Sequence, residues 1–421
     1  MFSFITYFGL FYYIMIISKC VLKDINLKFI RAMSAASTDS VIFESVNKTG
    51  IITLNRPKAL NALDLPMVNE IYPVMRKWEA QKGLVIIKGA GEKAFCAGGD
   101  VRAVVDSAKD GGKLGQDFFR KEYELNRLIG SYSIPYIALI DGITMGGGLG
   151  LSVHGQYRIA TERSMIAMPE TQIGLFPDVG GSFFLPRLSG NLGLFLGLTG
   201  IKAFRNICKM SAGLVSEISV CENTTTIFSL ILIIFKLFSG QRLKGKDVFK
   251  SGIATHFVPS NKLEELQESL TRCETPDAVY NLLKSFHDPN GEFSLNQHMD
   301  QINSCFAAAT VEEILERLEK DGSEWALKVI KTMAKMSPGS MKITLRALQR
   351  GSQLDLTQCL QMEYRLACRA LVNKDFIEGV RALLIDKDNS PKWDPKTLAD
   401  VTDDYIESYF KKLPADEELK F

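Results

Sequence analysis

The sequence predicts an α/β fold that passes into a helical C-terminal region. Three observations carry this. Short β-rich runs alternate with helical patterns between residues 41 and 140. Two apolar strand-like runs, LVIIK at 84–88 and YIALI at 136–140, each lead into a glycine-containing loop. From residue 311 to 371 the apolar residues recur at helical spacing.

VIFESV at 41–46 and GIITL at 50–54 read as the first strands. RPKALNALD then breaks the pattern with a proline and polar residues. A helix follows, with Asp64 as N-cap and Pro66 in its first turn. Met67, Ile71, Val74 and Trp78 share one of its faces. Residues 84–88 and 136–140 are buried strands, and residues 102–130 between them are mostly helical. Residues 311–336 are helix-rich. Ser337 and Pro338 look like the cap and first turn of the next helix. Cys359, Met362, Leu366 and Ala370 keep helical spacing in the last.

The chain has 421 residues, 46% hydrophobic and 23% charged, with a formal net charge of +2. This is ordinary globular composition with room for a sizeable core. It carries no basic footprint for nucleic acid. The eight cysteines form no CxxC pair, as expected of reduced thiols. The four histidines stand apart at no metal-ligand spacing, so no metal site is expected.

Two segments differ in texture from the rest. Residues 2–18 carry no charge. They are slightly short for a membrane span and lack the basic start of a secretory signal. Lys19, Lys23, Lys28 and Arg31 follow with one acid, as in a mitochondrial presequence. Three readings stand: a membrane anchor, an unusual targeting leader, or an over-extended gene model starting upstream of Met33. Residues 201–240 interrupt a helical-looking region with the apolar run TIFSLILIIFKLF, too short to span a membrane. Their Ile/Phe/Leu/Thr/Asn-rich texture matches the N-terminus, as expected if both are translated non-coding sequence.

The chemistry concentrates in three loops. FCAGGD at 95–100 and MGGGLG at 145–150 both follow expected strands. Glycine lets a backbone N–H approach a ligand closely. Two such loops can each aim one N–H at a single oxygen, the design of an oxyanion hole. The alternative is tight turns and close packing. Nucleotide motifs fail on spacing: there is no GxxxxGK[ST], no completed GxGxxG, and no GxSxG elbow around Ser182. The third loop, MPETQIGLFPDVGGS at 168–182, holds two acids, Glu170 and Asp178, among apolar residues and glycines. Together with an oxyanion hole they suit acyl chemistry, one attacking a thioester or activating water and the other assisting. The plainer alternative is a capping Glu170 and an Asp178 that begins a turn. Cys96 has no nearby histidine and reads as a packing residue. His154 and His256 read as structural hydrogen-bonding groups.

AFCAGGD, DGITMGGGLGLSVHGQYRIATE, AMPETQIGLFPDVGGSFFLPRL and NRPKALNALD resemble the crotonase (enoyl-CoA hydratase/isomerase) superfamily. The resemblance covers roughly residues 38–200 and 241–413. Within the superfamily it is greatest to the acyl-CoA thioester hydrolases. It implies a spiral of ββα units followed by a helical C-terminal region. It divides the chain into a leader at 1–37, a core at 38–290 interrupted by an insertion at 201–240, and a helical region at 291–421. The family runs from LTG at 198–200 directly into QRLKGKDV at 241–248.

By motif, the resemblance implies that Gly99 and Gly147 donate the two oxyanion N–H groups. Glu170 matches an active-site glutamate. Gly150 stands where hydratases place a second glutamate, which argues against simple hydration. Asp178 stands where hydratases have glycine and the hydrolases have aspartate. Glu122, in KEYELN, matches a substrate-pocket acid of the hydrolases. Residues 272–326 are extra relative to a hydratase, as in the hydrolases.

The implied reaction is hydrolysis of a short β-hydroxyacyl-CoA thioester in branched-chain amino acid breakdown, in the mitochondrial matrix. No separate cofactor is needed, because CoA belongs to the substrate. CoA would lie along residues 56–63 and 93–100, with Lys58 and Lys93 as candidates for its phosphates. The resemblance also implies a homo-oligomer. No stable membrane association is expected apart from the N-terminal apolar run. Two alternatives remain: a hydratase or isomerase activity, and a CoA-binding protein without turnover if residues 201–240 displace the site.

Overall fold

The structure, a computed structural model, describes residues 39–200 and 243–421. The leader at 1–37 and the insertion at 201–240 lie outside the described residues. The described chain winds as a spiral between two sheets. The larger sheet is built from β1 (Val41–Val46), β2 (Thr49–Leu54), β3 (Leu84–Gly89), β5 (Tyr136–Ile140), β7 (Tyr157–Ala160) and β10 (His256–Phe257), in that spatial order. Only β1 pairs antiparallel, along β2; the other pairs are parallel. The smaller sheet holds β4 (Ala94–Cys96), β6 (Ile143–Met145), β8 (Met165–Ala167) and β9 (Leu243–Lys244). There β4, β6 and β8 run parallel, and β9 runs antiparallel to β8.

Each turn of the spiral adds one strand to each sheet and then a helix or helical turn. β3 and β4 lead to the helices Val101–Lys109 and Leu114–Gly130. β5 and β6 lead to the short helix Gly147–Gly150. β7 and β8 lead to the 3₁₀ turn Glu170–Ile173. These are the ββα units that the family resemblance implies.

The continuous apolar runs are explained by burial on both faces, the usual environment of parallel strands. Val85, Ile87, Ala138 and Ile140 face the main core. Leu84, Ile86, Ile137 and Leu139 face a second cluster with Leu266, Leu270, Val279 and Leu283. The helices Leu263–Leu270 and Pro276–Phe286 supply that cover.

The expected helix after residue 64 spans Leu65–Gln81, and the Asp64 carboxylate accepts from the Met67 N–H at 3.0 Å. Its buried stripe is Met67, Val68, Ile71, Met75 and Trp78. Val74 is only half-buried, because Met75 takes the inner position. The helical stretch at 311–336 divides into Val311–Asp321 and Glu324–Met333. Gly322 adopts φ +62° and ends the first helix. The Ser323 hydroxyl then caps the second, accepting from the Ala326 N–H at 3.2 Å. Ser337 and Pro338 open the helix Pro338–Gly351 as expected. The next helix is Leu356–Ala370, with Cys359, Met362, Leu366 and Ala370 all buried.

One contiguous apolar cluster runs from Val41 to Leu419 and joins the spiral to the C-terminal helices. Phe195 on the helix Leu192–Thr199 packs edge-on against Phe306, ring centroids 5.3 Å apart, and beside Trp325. Among the described residues, no helix is long and apolar enough to cross a membrane.

Candidate active site

Strands β4, β6 and β8 are neighbours in the small sheet, so the segments leaving their C-terminal ends converge. Such carboxyl edges are where open α/β sheets bind ligands. β4 delivers Gly98 and Gly99, β6 delivers Gly146 to Gly150, and β8 delivers residues 168–178.

The first glycine loop is held from behind by residues 56–63. The Leu63 N–H donates to the Gly98 carbonyl and the Asp100 N–H to the Leu63 carbonyl, each at 2.8 Å. That pairing turns the N–H of Gly99 to the opposite side. The buried Asn61 amide donates to the Ala90 and Ala94 carbonyls at 2.9 and 2.8 Å. Arg56 bridges Asp64 and Asp100 at 2.8 and 3.3 Å. NRPKALNALD is thus a brace for the loop that bears Gly99.

Gly147 begins the short helix after β6, and a Cβ on it would stand 3.4 Å from the Gly99 nitrogen. Gly146 before it adopts φ +43°, which brings the loop round sharply. Among the described residues, neither the Gly99 nor the Gly147 N–H donates to a backbone or side-chain acceptor. The two expected donors are side by side and free.

Three acids surround this pair. Glu170 is 5% exposed, and one of its oxygens lies 2.7 Å from where a Gly146 Cβ would be. Among the described residues its other oxygen has no hydrogen-bond partner. Glu122, on the helix Leu114–Gly130, is 2% exposed. Its Oε1, without a partner among the described residues, lies 2.4 Å from where a Gly147 Cβ would be, a place only glycine leaves open. Asp178 is 5% exposed and accepts from the buried Tyr123 hydroxyl at 2.9 Å.

Removal from water penalises each charge, and each carboxylate repels the others. Burial, then Asp178 and Glu170, pushes the Glu122 carboxyl well above its usual range. Burial, then Asp178, does the same to Glu170. Burial pushes Asp178 up to about 7, against the opposing hydrogen bond from Tyr123. All three acids are thus held above the ordinary carboxyl range, as groups at sites of acid–base chemistry often are.

The segment after Asp178 is strained and tightly held. Val179 adopts φ +51°, costly for a β-branched residue. The His154 Nε2–H donates to the Val179 carbonyl at 2.7 Å. Burial lowers the imidazole pKa to about 4, so it acts as a neutral donor. Glu363, fully buried on the helix Leu356–Ala370, accepts from the Gly180 N–H, the Ser182 N–H and the Ser182 hydroxyl at 2.7, 2.8 and 2.6 Å. The adjacent Tyr364 meets the Tyr123 ring edge-on, centroids 6.4 Å apart. One C-terminal helix therefore buttresses both Asp178 and the tyrosine bonded to it.

Sequence reasoning missed Glu363 and Tyr123. The available signal was a lone acid beside Met362 on the buried stripe of an otherwise apolar helix face. Cys96 contacts the Gly98 carbonyl through its sulfur, and burial pushes its thiol up to about 12. It is a packed thiol rather than a nucleophile. His256 contacts the Thr255 hydroxyl at 2.9 Å, away from the acids. Lys58 and Lys93 are exposed on the two segments flanking Gly99. Among the described residues, no group of three or more His, Cys, Asp or Glu side chains is arranged to hold a metal ion.

The spiral and the site at its carboxyl edge define a class. The chain matches the enoyl-CoA hydratase/isomerase family over residues 49–218 and 234–410, and it belongs to that family. It is 50% identical over 407 residues to the mitochondrial 3-hydroxyisobutyryl-CoA hydrolase of Rattus norvegicus, covering 94% of this chain and 95% of that protein. It is 49% identical over 394 residues to the protein of the same name from Homo sapiens, covering 91% and 92%. Among solved structures, it resembles a carnitinyl-CoA dehydratase from Mycobacterium thermoresistibile at 34% identity and TM-score 0.77, covering 91% of this chain and 99% of that one. An enoyl-CoA hydratase from Rhodobacter sphaeroides is similar at 34% identity and TM-score 0.75, covering 91% and 100%.

Proposed function

We propose that this chain hydrolyses 3-hydroxyisobutyryl-CoA to 3-hydroxyisobutyrate and CoA. The observation that carries it is the placement of Asp178 in one buried acid cluster with Glu170 and Glu122, around the free N–H groups of Gly99 and Gly147. The relatives about 50% identical to the chain bear this activity in their names. Hydratases of the superfamily usually place a second glutamate at the position of Gly150. Gly150 has no side chain, and the Asn126 amide lies beside it.

In this reading the thioester oxygen accepts from Gly99 and Gly147. Each such donor contributes about 3 kcal/mol to the transition state, where the oxygen becomes negative. Glu170 acts on the carbonyl carbon. Either its carboxylate attacks to give a mixed anhydride that water opens, or it takes the proton of an attacking water. Both routes break the C–S bond, give the acid and return a proton to the CoA sulfur. Asp178, held by Tyr123, orients the water or the substrate hydroxyl. Glu122 lines the acyl pocket beside Gly147. CoA is part of the substrate and no separate cofactor takes part. The CoA chain lies along residues 56–63 and 93–100.

The relatives are named mitochondrial, which supports the mitochondrion as the site of this reaction; in this reading the chain works in the matrix. The test is free-thiol release from 3-hydroxyisobutyryl-CoA, by the full chain and by a chain lacking residues 201–240. Release by either supports the reading. Release by neither, with crotonyl-CoA hydrated instead, overturns it.

A further inference from the structure

The helix Leu114–Gly130 places Glu122 and Asn126 one turn apart on the face that meets the short helix Gly147–Gly150. Glu122 faces Gly147, and Asn126 faces Gly150. A Cβ on Gly150 would lie 2.8 Å from the Asn126 Nδ2, 3.1 Å from its Oδ1 and 2.8 Å from the Val179 Cβ. Asn126 is fully buried, yet among the described residues neither atom of its carboxamide has a hydrogen-bond partner. Buried polar side chains are nearly always paired. An amide with both ends orphaned beside the acid cluster is built for something that arrives from outside.

That visitor must both donate and accept at one point. A carboxamide offers an N–H donor and a carbonyl acceptor, which together match a hydroxyl group. We propose that Asn126 is a specificity-determining residue that binds the β-hydroxyl of the acyl group, accepting through Oδ1 and donating through Nδ2. The proposal rests on the hydrolase reading above. An acyl chain held by its carbonyl oxygen at Gly147 passes along the short helix toward Gly150. Its hydroxyl then reaches the amide one turn beyond Glu122. An acyl group without the hydroxyl leaves the buried amide unpaired. Sites built this way reject the analogue lacking the hydroxyl by factors of about 10⁴ to 10⁵.

The test compares kcat/KM for 3-hydroxyisobutyryl-CoA and isobutyryl-CoA, followed by thiol release. The parent chain prefers the hydroxylated substrate. Asn126→Ala lowers that preference roughly a hundredfold, mainly through loss on the hydroxylated substrate. Asn126→Leu has a similar branched outline and guards against collapse of the site; thermal melting confirms that each variant is folded. It lowers the preference similarly and raises turnover of isobutyryl-CoA. A parent that discriminates, with folded variants that discriminate equally well, overturns the inference and leaves the hydrolase reading standing. Equal losses on both substrates also overturn it, because the amide would then serve the attacking water. A parent that releases thiol from neither substrate removes the hydrolase reading and the inference together.

Discussion

Glu170 shows how one residue acquires a function from where it is placed. It leaves β8 on a 3₁₀ turn, with one oxygen beside Gly146 and the other shut away from water and without a partner among the described residues. A carboxylate in that setting is a stronger base and a less solvated nucleophile than one in water. In the proposed reaction, its neighbours Gly99 and Gly147 bind the oxygen on which charge develops. Replacing it with the neutral isostere tests the division of labour. Glu170→Gln lowers kcat by a factor of about 10² to 10⁴ while CoA binding, measured by calorimetry, changes little. Equal losses in the two would make Glu170 structural. Gly147 is fixed by space instead, since a side chain there would strike the Glu122 carboxylate.

The helix Leu356–Ala370 matters because it controls geometry it does not itself catalyse. Through Glu363 it ties down Gly180 and Ser182, and through Tyr364 it abuts Tyr123. These contacts hold the φ +51° conformation of Val179 and, with it, the position of Asp178. Glu363→Ala leaves three buried donors unpaired, at about 1–3 kcal/mol each. The loop relaxes, and kcat falls about a hundredfold while KM stays within a small factor, as a displacement of about 1 Å would cause. Glu363→Gln keeps an acceptor for the Ser182 groups and recovers much of the rate. If Ala and Gln behave alike, the acid only fills space. This buttress was invisible in the sequence because it joins residues 183 positions apart in Gly180 and Glu363. What the sequence did expose was local. Asp64, Ser337 and the alternation of strands and helices obey nearest-neighbour rules, and so were legible. The five expected site residues, Gly99, Glu122, Gly147, Glu170 and Asp178, do meet, but it was motif resemblance that put them together. Spacing alone left Glu170 and Asp178 open to plainer readings. Tyr123 and Asn126 act across the packed core, where no periodicity marks them, and Glu363 was marked only by its place on a buried stripe, which does not say what it meets.

At the scale of the whole molecule, four buried carboxyl groups sit within one closed region, and their burial sets how stability responds to pH. Glu122 and Glu170 are pushed well above their ordinary range, Asp178 to about 7 and Glu363 to about 8, with desolvation the first cause in each. In the unfolded chain these acids lose their protons near pH 4. The folded chain therefore holds more protons between about pH 4 and pH 8. Stability falls as pH rises through that window, because unfolding releases protons there. The contribution is intact below the unfolded values and is lost as pH climbs through the folded ones. Asp178→Asn isolates one member, since the amide oxygen can still accept from Tyr123 but carries no charge. It is expected to melt a few degrees above the parent at pH 8 and level with it at pH 4, by scanning calorimetry, while losing hydrolysis. A variant no more stable than the parent at pH 8 would show that Asp178 is not ionised against its surroundings, and that the cluster does not trade stability for reactivity. The opposing trend, stability rising from pH 4 to 8, would mean that salt bridges on the surface outweigh the buried acids. The surface pairs, such as Arg381 with Glu378, Asp386 and Asp388, are partly exposed and screened by water, so each contributes little.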